Sequence, residues 1–231
     1  MRLSKRLQSI VSLVPDNSIV ADIGTDHGYV PFKLIESGKS KRIIATDISN
    51  ESLNKTISYI KQDLLIDGKI VTRVGNGLVP IKPFEVDTVI IAGMGGILIS
   101  DILKEDIKKT DSFVNFILQP MVASTELRVF LNKNGFEIID EDLVAEDGFI
   151  YEVIYAKRGL ELIADEIYFE IGRKLIQKRH PLLNEFISKK IEEALFIISE
   201  LDKHLYSPKA QEKRQDLEKK IAKYKEVLQC L

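Results

Sequence analysis

The sequence predicts an α/β protein in which a doubly wound, mostly parallel sheet is followed by an antiparallel helical hairpin. Three observations carry that expectation. Short runs rich in Ile and Val alternate with longer helical stretches through five strand-helix steps, the pattern of strands joined by crossover helices. The alternation then gives way to two runs separated only by Glu146-Asp147-Gly148, a turn too short for a crossover and suited to a hairpin that closes the sheet edge. Beyond Gly159 the composition turns to Lys, Glu, Leu and Ile, with apolar residues at steps of three and four on either side of a proline break.

Leu3, Leu7, Ile10, Val11 and Val14 have helical spacing, and Pro15-Asp16-Asn17 then turns the chain. Buried strands are expected at 18–22, 42–47, 69–74, 86–92 and 113–118, each flanked by Gly, Asp or Pro. Helices are expected between them at 29–37, 50–63, 96–103 and 124–134. The hairpin strands follow at 135–145 and 149–156. A helix is expected over 165–179, halting near Pro181. Ile187, Ile191, Leu195, Ile198, Leu201 and Leu205 then form one stripe, and Leu217, Ile221, Tyr224, Leu228 and Leu231 a second one after Ser207-Pro208. At 231 residues, one main domain over 1–160 with a coiled-coil-like appendage over 161–231 is the expected organisation.

A hydrophobic content of 45% with 29% charged residues is enough to bury a globular core. The single cysteine, Cys230, excludes an intrachain disulfide framework and a cysteine-rich metal site, and suits a reducing cytosol. The first residues lack a signal-peptide pattern and no stretch approaches a transmembrane span, so a cytoplasmic protein without membrane or metal partners is expected. A net charge of −2 gives no global case for nucleic-acid binding, which must then rest on local clusters. Arg2, Lys5 and Arg6 form one such cluster; Arg173, Lys174, Lys178, Arg179 and His180 form another. Solvated helix faces carry similar charges. The sequence leaves the oligomeric state open.

The most informative segment runs Asp22-Ile23-Gly24-Thr25-Asp26-His27-Gly28-Tyr29, a strand end, a glycine turn and a helix start at the ligand edge of a parallel sheet. Gly24 lets the backbone approach a ligand closely. Asp47 closes the next strand, where a carboxylate can accept both ribose hydroxyls of a nucleoside or, more plainly, cap the following helix. These two features fit a dinucleotide or an adenosyl cofactor. Asp26 separates them, because a carboxylate inside the turn repels a pyrophosphate and suits a sulfonium or an ammonium. That disfavours an NAD-dependent oxidoreductase. Asn76 ends the third strand-loop step, where an amide can pair with an adenine edge, and Gly93-Met94-Gly95-Gly96 makes a loop of little side-chain bulk after the fourth. Any one of these loops alone is as well explained as a structural turn; four at the same end of successive strands are not.

The succession Asp22-Ile-Gly-Thr-Asp-His-Gly-Tyr29, Ala45-Thr-Asp47, Gly75-Asn-Gly-Leu78, Ala92-Gly-Met-Gly-Gly96, Leu118-Gln-Pro120 and Glu146-Asp-Gly148 resembles the TrmK family of bacterial tRNA adenine-N1 methyltransferases. The resemblance runs from about Leu3 to Arg158, and it implies a Rossmann-like class I methyltransferase domain, S-adenosylmethionine as cofactor, and transfer to the adenine at position 22 of tRNA. It further implies cofactor contacts from Asp22, Gly24, Asp26, His27, Asp47, Asn76 and Gly93. Asn76 and Met121 depart from the family's usual Asp and Asn. Methyl transfer from a sulfonium needs alignment and charge placement rather than a triad. Asp26 is the candidate that stabilises the cationic ring, takes a proton from the exocyclic amine or orients the donor, with His27 and Tyr29 lining the base pocket. The alternatives are a methyltransferase acting on another RNA or a small molecule, and a non-catalytic RNA-binding protein.

Overall fold

The computed structural model describes residues 3–60, 66, 68–204 and 208–231 and resolves into two compact units, 1–163 and 164–231. The first opens on α1 (Lys5–Leu13), whose cap Ser4 accepts the Leu7 N–H. There follow β1 (Ser18–Ile23), α2 (Tyr29–Glu36), β2 (Ser40–Asp47), α3 (Asn50–Ile60), β3 (Ile70–Val74), β4 (Thr88–Met94), α4 (Gly96–Glu105), α5 (Ile107–Thr110), β5 (Asn115–Pro120), α6 (Ser124–Lys133), β6 (Phe136–Glu146) and β7 (Phe149–Arg158). The seven strands lie in the order β3-β2-β1-β4-β5-β7-β6. The first five are parallel, and β7 runs antiparallel to both neighbours.

Strict alternation along the central strands divides the core into two layers. Ala21, Ile23, Ile44, Val89, Ile91, Phe116 and Leu118 face one side, where Ile99, Leu103, Leu127 and Leu131 of α4 and α6 cover them. Val20, Ile43, Ala45, Ile90 and Ile117 face the other, under Ile10 and Val14 of the α1 segment and Val30, Leu34 and Ile35 of α2. Both faces are covered, which is why these strands read as unbroken apolar runs. The chain leaves β1 toward β2 and β3, then returns to the far side of β1 as β4, so a crevice opens at the C-terminal ends of β1 and β4.

β4 and β5 start two residues later than the apolar runs suggest. Asp87 is the cause: its carboxylate accepts the Ile19 N–H at 2.9 Å, and its carbonyl accepts the Val114 and Asn115 N–H groups at 2.9 Å each, so it works as an anchor below the strands. The four-residue α5 carries no periodic signal; it is held by Asp106, which accepts the Lys109 N–H. The hairpin forms as expected, but β7 pairs with β5 and leaves β6 at the edge. A buried triad fixes it. Arg128 on α6 donates to Glu141 at 2.7 Å and to Glu152 at 2.5 Å, and Ser124 also binds Glu152.

In the second unit the helix expected over 165–179 is broken in two, α7 (Ile167–Ile171) and α8 (Arg173–Gln177), because Gly172 between them takes φ +91°. α9 (Leu183–Leu201) and α10 (Pro208–Gln229) pack through Ile191, Ala194, Ile198 and Leu201 against Leu217 and Ile221. The stripe on α9 therefore passes through Ala194, and Leu195 points outward at 52% exposure. With steps of four, three, four and three from Ile187, Ala194 keeps the heptad seam that Leu195 leaves. Asp202 and Arg214 pair at 3.0 Å beside the connection, and Lys223 reaches Asp165 at 2.6 Å. Leu205, Ser207 and positions 61–63 of the expected third helix lie outside the described residues. Among the described residues no helix is long and apolar enough to cross a membrane.

Candidate active site

The glycine turn after β1 is built from left-handed residues. Gly24 has φ +74°, and its N–H and that of Thr25 both donate to the Thr46 carbonyl at 2.8 Å, tying the loop to β2. His27 and Gly28 repeat the left-handed geometry at +60° and +71°, and Gly28 opens α2. A Cβ at Gly28 would stand 2.6 Å from the Thr56 methyl, so glycine is required there for packing as well as for φ. Asp26 Oδ1 lies 2.5 Å from His27 Nδ1, and the His27 ring stacks on Tyr29 at 5.3 Å. At the end of β2, one oxygen of Asp47 accepts the Ser49 N–H at 2.7 Å, a turn-capping role that leaves the second oxygen without a partner among the described residues.

These loops surround a cavity of about 600 Å³. Asp22, Gly24, Asp26, Tyr29, Asp47 and Gly93 all line it, as do Met94 and Met121. At Gly93, φ +77°, an added Cβ would meet nothing within 4 Å; the backbone here faces open space that a ligand can fill. Asp22 is only 6% exposed and makes no ion pair among the described residues. Burial pushes its carboxyl up to about 6, the Thr25 side chain offsets part of this, and neighbouring Asp47 adds to the rise. A buried carboxylate without a cation is costly unless a ligand supplies the charge.

Two expected residues stand apart from this wall. His27, beside Asp26 and stacked on Tyr29, does not line the cavity, and Asn76 is exposed beyond β3, close to Asp47 through the Gly75 N–H bond to the Asp47 carbonyl at 3.0 Å. Several wall residues come from segments whose sequence signal does not place them at this site. Ser4, Arg6 and Leu7 come from α1 and its cap; Glu146, Asp147 and Tyr151 come from the hairpin. The segment 146–148, read from the sequence most simply as a hairpin turn, thus presents two carboxylates to the cavity. Gln119, fully buried, joins the two sets: its Oε1 accepts from Gly93 N–H at 3.1 Å and from Arg6 Nη1 at 2.6 Å. Arg2 lies outside the described residues, and Lys5 is exposed. Among the described residues, no group of three or more His, Cys, Asp and Glu is placed to hold a metal ion.

Residues 3–154 match a family described as a methyltransferase domain. The tRNA (adenine(22)-N(1))-methyltransferase of Bacillus subtilis (strain 168) is 36% identical over 159 residues, 69% of this chain and 66% of that protein. Among solved structures, a Streptococcus pneumoniae protein in complex with S-adenosyl-L-methionine is 30% identical with a TM-score of 0.86, over 98% of this chain and 100% of that one. M. capricolum TrmK in complex with the cofactor product S-adenosyl-homocysteine is 28% identical with a TM-score of 0.83, over 98% and 99% of the two chains.

Proposed function

This chain belongs to the methyltransferase-domain family and, within it, to the TrmK tRNA (adenine-N1)-methyltransferases, and on that premise we propose that it transfers a methyl group from S-adenosylmethionine to N1 of adenine 22 in tRNA. The observation that carries the cofactor is the buried Asp22, without an ion pair among the described residues, in a cavity walled by Asp26 and Asp47, since such a wall suits a ligand bearing a sulfonium and an ammonium and repels a pyrophosphate. With tRNA as its substrate, the chain works in the cytoplasm.

S-Adenosylmethionine supplies, when bound, an electrophilic methyl group on a sulfonium. The residues of this chain supply position and charge. Asp47 would accept the ribose hydroxyls with the oxygen that Ser49 leaves open, and Asn76, next to it in the chain's fold, would pair with the adenine edge. Gly24 and Gly93 let main chain replace side-chain bulk against the ligand. Asp22 and Asp26, which line the cavity, would face the cationic portion. Asp26, beside His27, also stabilises the positive charge that appears on the target ring or takes a proton from its exocyclic amine; Tyr29 shapes the base pocket, with the His27 ring stacked on it. The base must leave any pairing before transfer.

The test is transfer of label from S-adenosylmethionine to unmodified tRNA followed by nucleoside analysis. N1-methyladenosine is the expected product. Labelled N6-methyladenosine or a labelled pyrimidine would reject the assignment, and cofactor binding without transfer to tRNA would leave a methyltransferase of another acceptor.

A further inference from the structure

The cavity extends across the sheet from Asp47 on β2 to Tyr151 on β7. Four strand spacings of ~4.8 Å separate those strands, roughly 19 Å, which is room for two ligands side by side. The Asp47 end is acidic. At the other end stands Arg6, the one cation among the described residues of the wall, which also carries Asp22, Asp26, Asp47, Glu146 and Asp147. None of these carboxylates pairs with its guanidinium. Glu146 instead accepts the Arg6 main-chain N–H at 2.9 Å, which fixes the backbone and leaves the side-chain charge free. The guanidinium donates to the neutral amide oxygen of Gln119 and lies over the Tyr151 ring at 5.5 Å, and its other N–H groups make no hydrogen bond among the described residues. Gln119 cannot swing away, because it is fully buried and the same oxygen holds Gly93.

A half-buried cation positioned by a neutral amide and an aromatic face, with donors to spare, is arranged to receive an anion, and its planar fork matches a phosphate. A polyanion also needs such a group to enter a cavity with five carboxylates in its wall. We propose that Arg6 binds the phosphodiester of the nucleotide carrying the target adenine, so that the acceptor enters over β5 and β7 while the cofactor occupies the β1–β2 end. The proposal rests on the tRNA-methyltransferase function above and adds where, and by which residue, the substrate is anchored.

The experiment measures methyl transfer to unmodified tRNA over a series of KCl concentrations for wild type, Arg6→Gln and Arg6→Lys, with S-adenosylhomocysteine affinity and melting temperature measured on the same proteins. Arg6→Gln keeps a donor for Gln119 but lacks the charge. It is expected to lower kcat/KM for tRNA about tenfold and to flatten the slope of log(kcat/KM) against log[salt] by roughly 0.7–0.9, the loss of one phosphate contact, while cofactor-product affinity stays within about twofold. Arg6→Lys is expected to retain the wild-type slope. Equal slopes for wild type and Arg6→Gln would overturn the proposal, as would an Arg6→Gln variant that loses product affinity as steeply as tRNA turnover. A wild type that binds S-adenosylhomocysteine yet never methylates tRNA would overturn the function itself and this inference with it; an active wild type with an unchanged variant slope would overturn the inference alone.

Discussion

At its Asp47 end the cavity is walled by loops that each directly follow a strand, whereas at its Arg6 end the wall is assembled from residues far apart in the chain: Arg6 meets Gln119 across 113 positions and Glu146 across 140. The first end is set by local turn geometry, namely the left-handed Gly24, His27, Gly28 and Gly93 and the carboxylates beside them. The second depends on tertiary packing of α1 and the hairpin. Substitutions at the first end should therefore act on cofactor binding with the fold intact, while the second end should fail when its packing fails.

The largest effect is expected where the second end is anchored. Arg128→Met leaves Glu141 and Glu152 buried without their cation, at a cost of about 3–5 kcal/mol. For a unit of this size that lowers the melting temperature by roughly 10 °C, measured by calorimetry. An unchanged melting temperature would show that the hairpin needs no such anchor.

Asp22→Asn should act in the opposite direction on stability. The folded carboxyl titrates at about 6, above its ordinary 3.8, so the fold favours the protonated form. The contribution of this group is fully present below pH 3.8 and is lost as pH rises through about 6. Asparagine removes that loss, and the ligand-free variant should gain up to about 3 kcal/mol at pH 7.5 with little change at pH 4. The same variant should bind S-adenosylmethionine more weakly, because the buried countercharge is gone. A variant less stable than wild type at pH 7.5 would contradict the assigned burial cost.

Asp47→Ala removes charge-assisted hydrogen bonds to a ribose, worth about 2 kcal/mol, and should weaken S-adenosylhomocysteine roughly 30-fold by titration calorimetry without raising KM for tRNA. Asn76→Ala removes one neutral pairing, about 1 kcal/mol, and should weaken the same ligand about fivefold. If Asn76→Ala matched wild type, the adenine edge would have to be read elsewhere.

The same contrast explains what the sequence made legible. Asp22, Gly24, Asp26, Asp47 and Gly93 stand out because glycine turns and strand-end carboxylates leave a local pattern, and the folded chain brings all five to one cavity. Arg6 was visible only as one charge in a basic cluster, and nothing local couples it to Gln119. Glu146 and Asp147 read as a turn, Glu146 in fact ending β6 and Asp147 making the turn, and their second role appears only when β7 docks on β5 and carries them beside α1. Strand positions followed from Ile and Val runs, but Asp87 shifted two starts by tying three segments together. On α9, Leu195 was the more apolar choice beside Ala194, and heptad geometry outweighed apolarity.

The measurement that bears most directly on the central claim compares two transcripts of one unmodified tRNA, differing only in adenine or guanine at position 22, as methyl acceptors for the wild-type chain. Incorporation approaching one methyl group per adenine-22 transcript, recovered as N1-methyladenosine, and none into the guanine-22 transcript is the predicted result. Equal incorporation into both, or into neither while S-adenosylmethionine is bound, would contradict it.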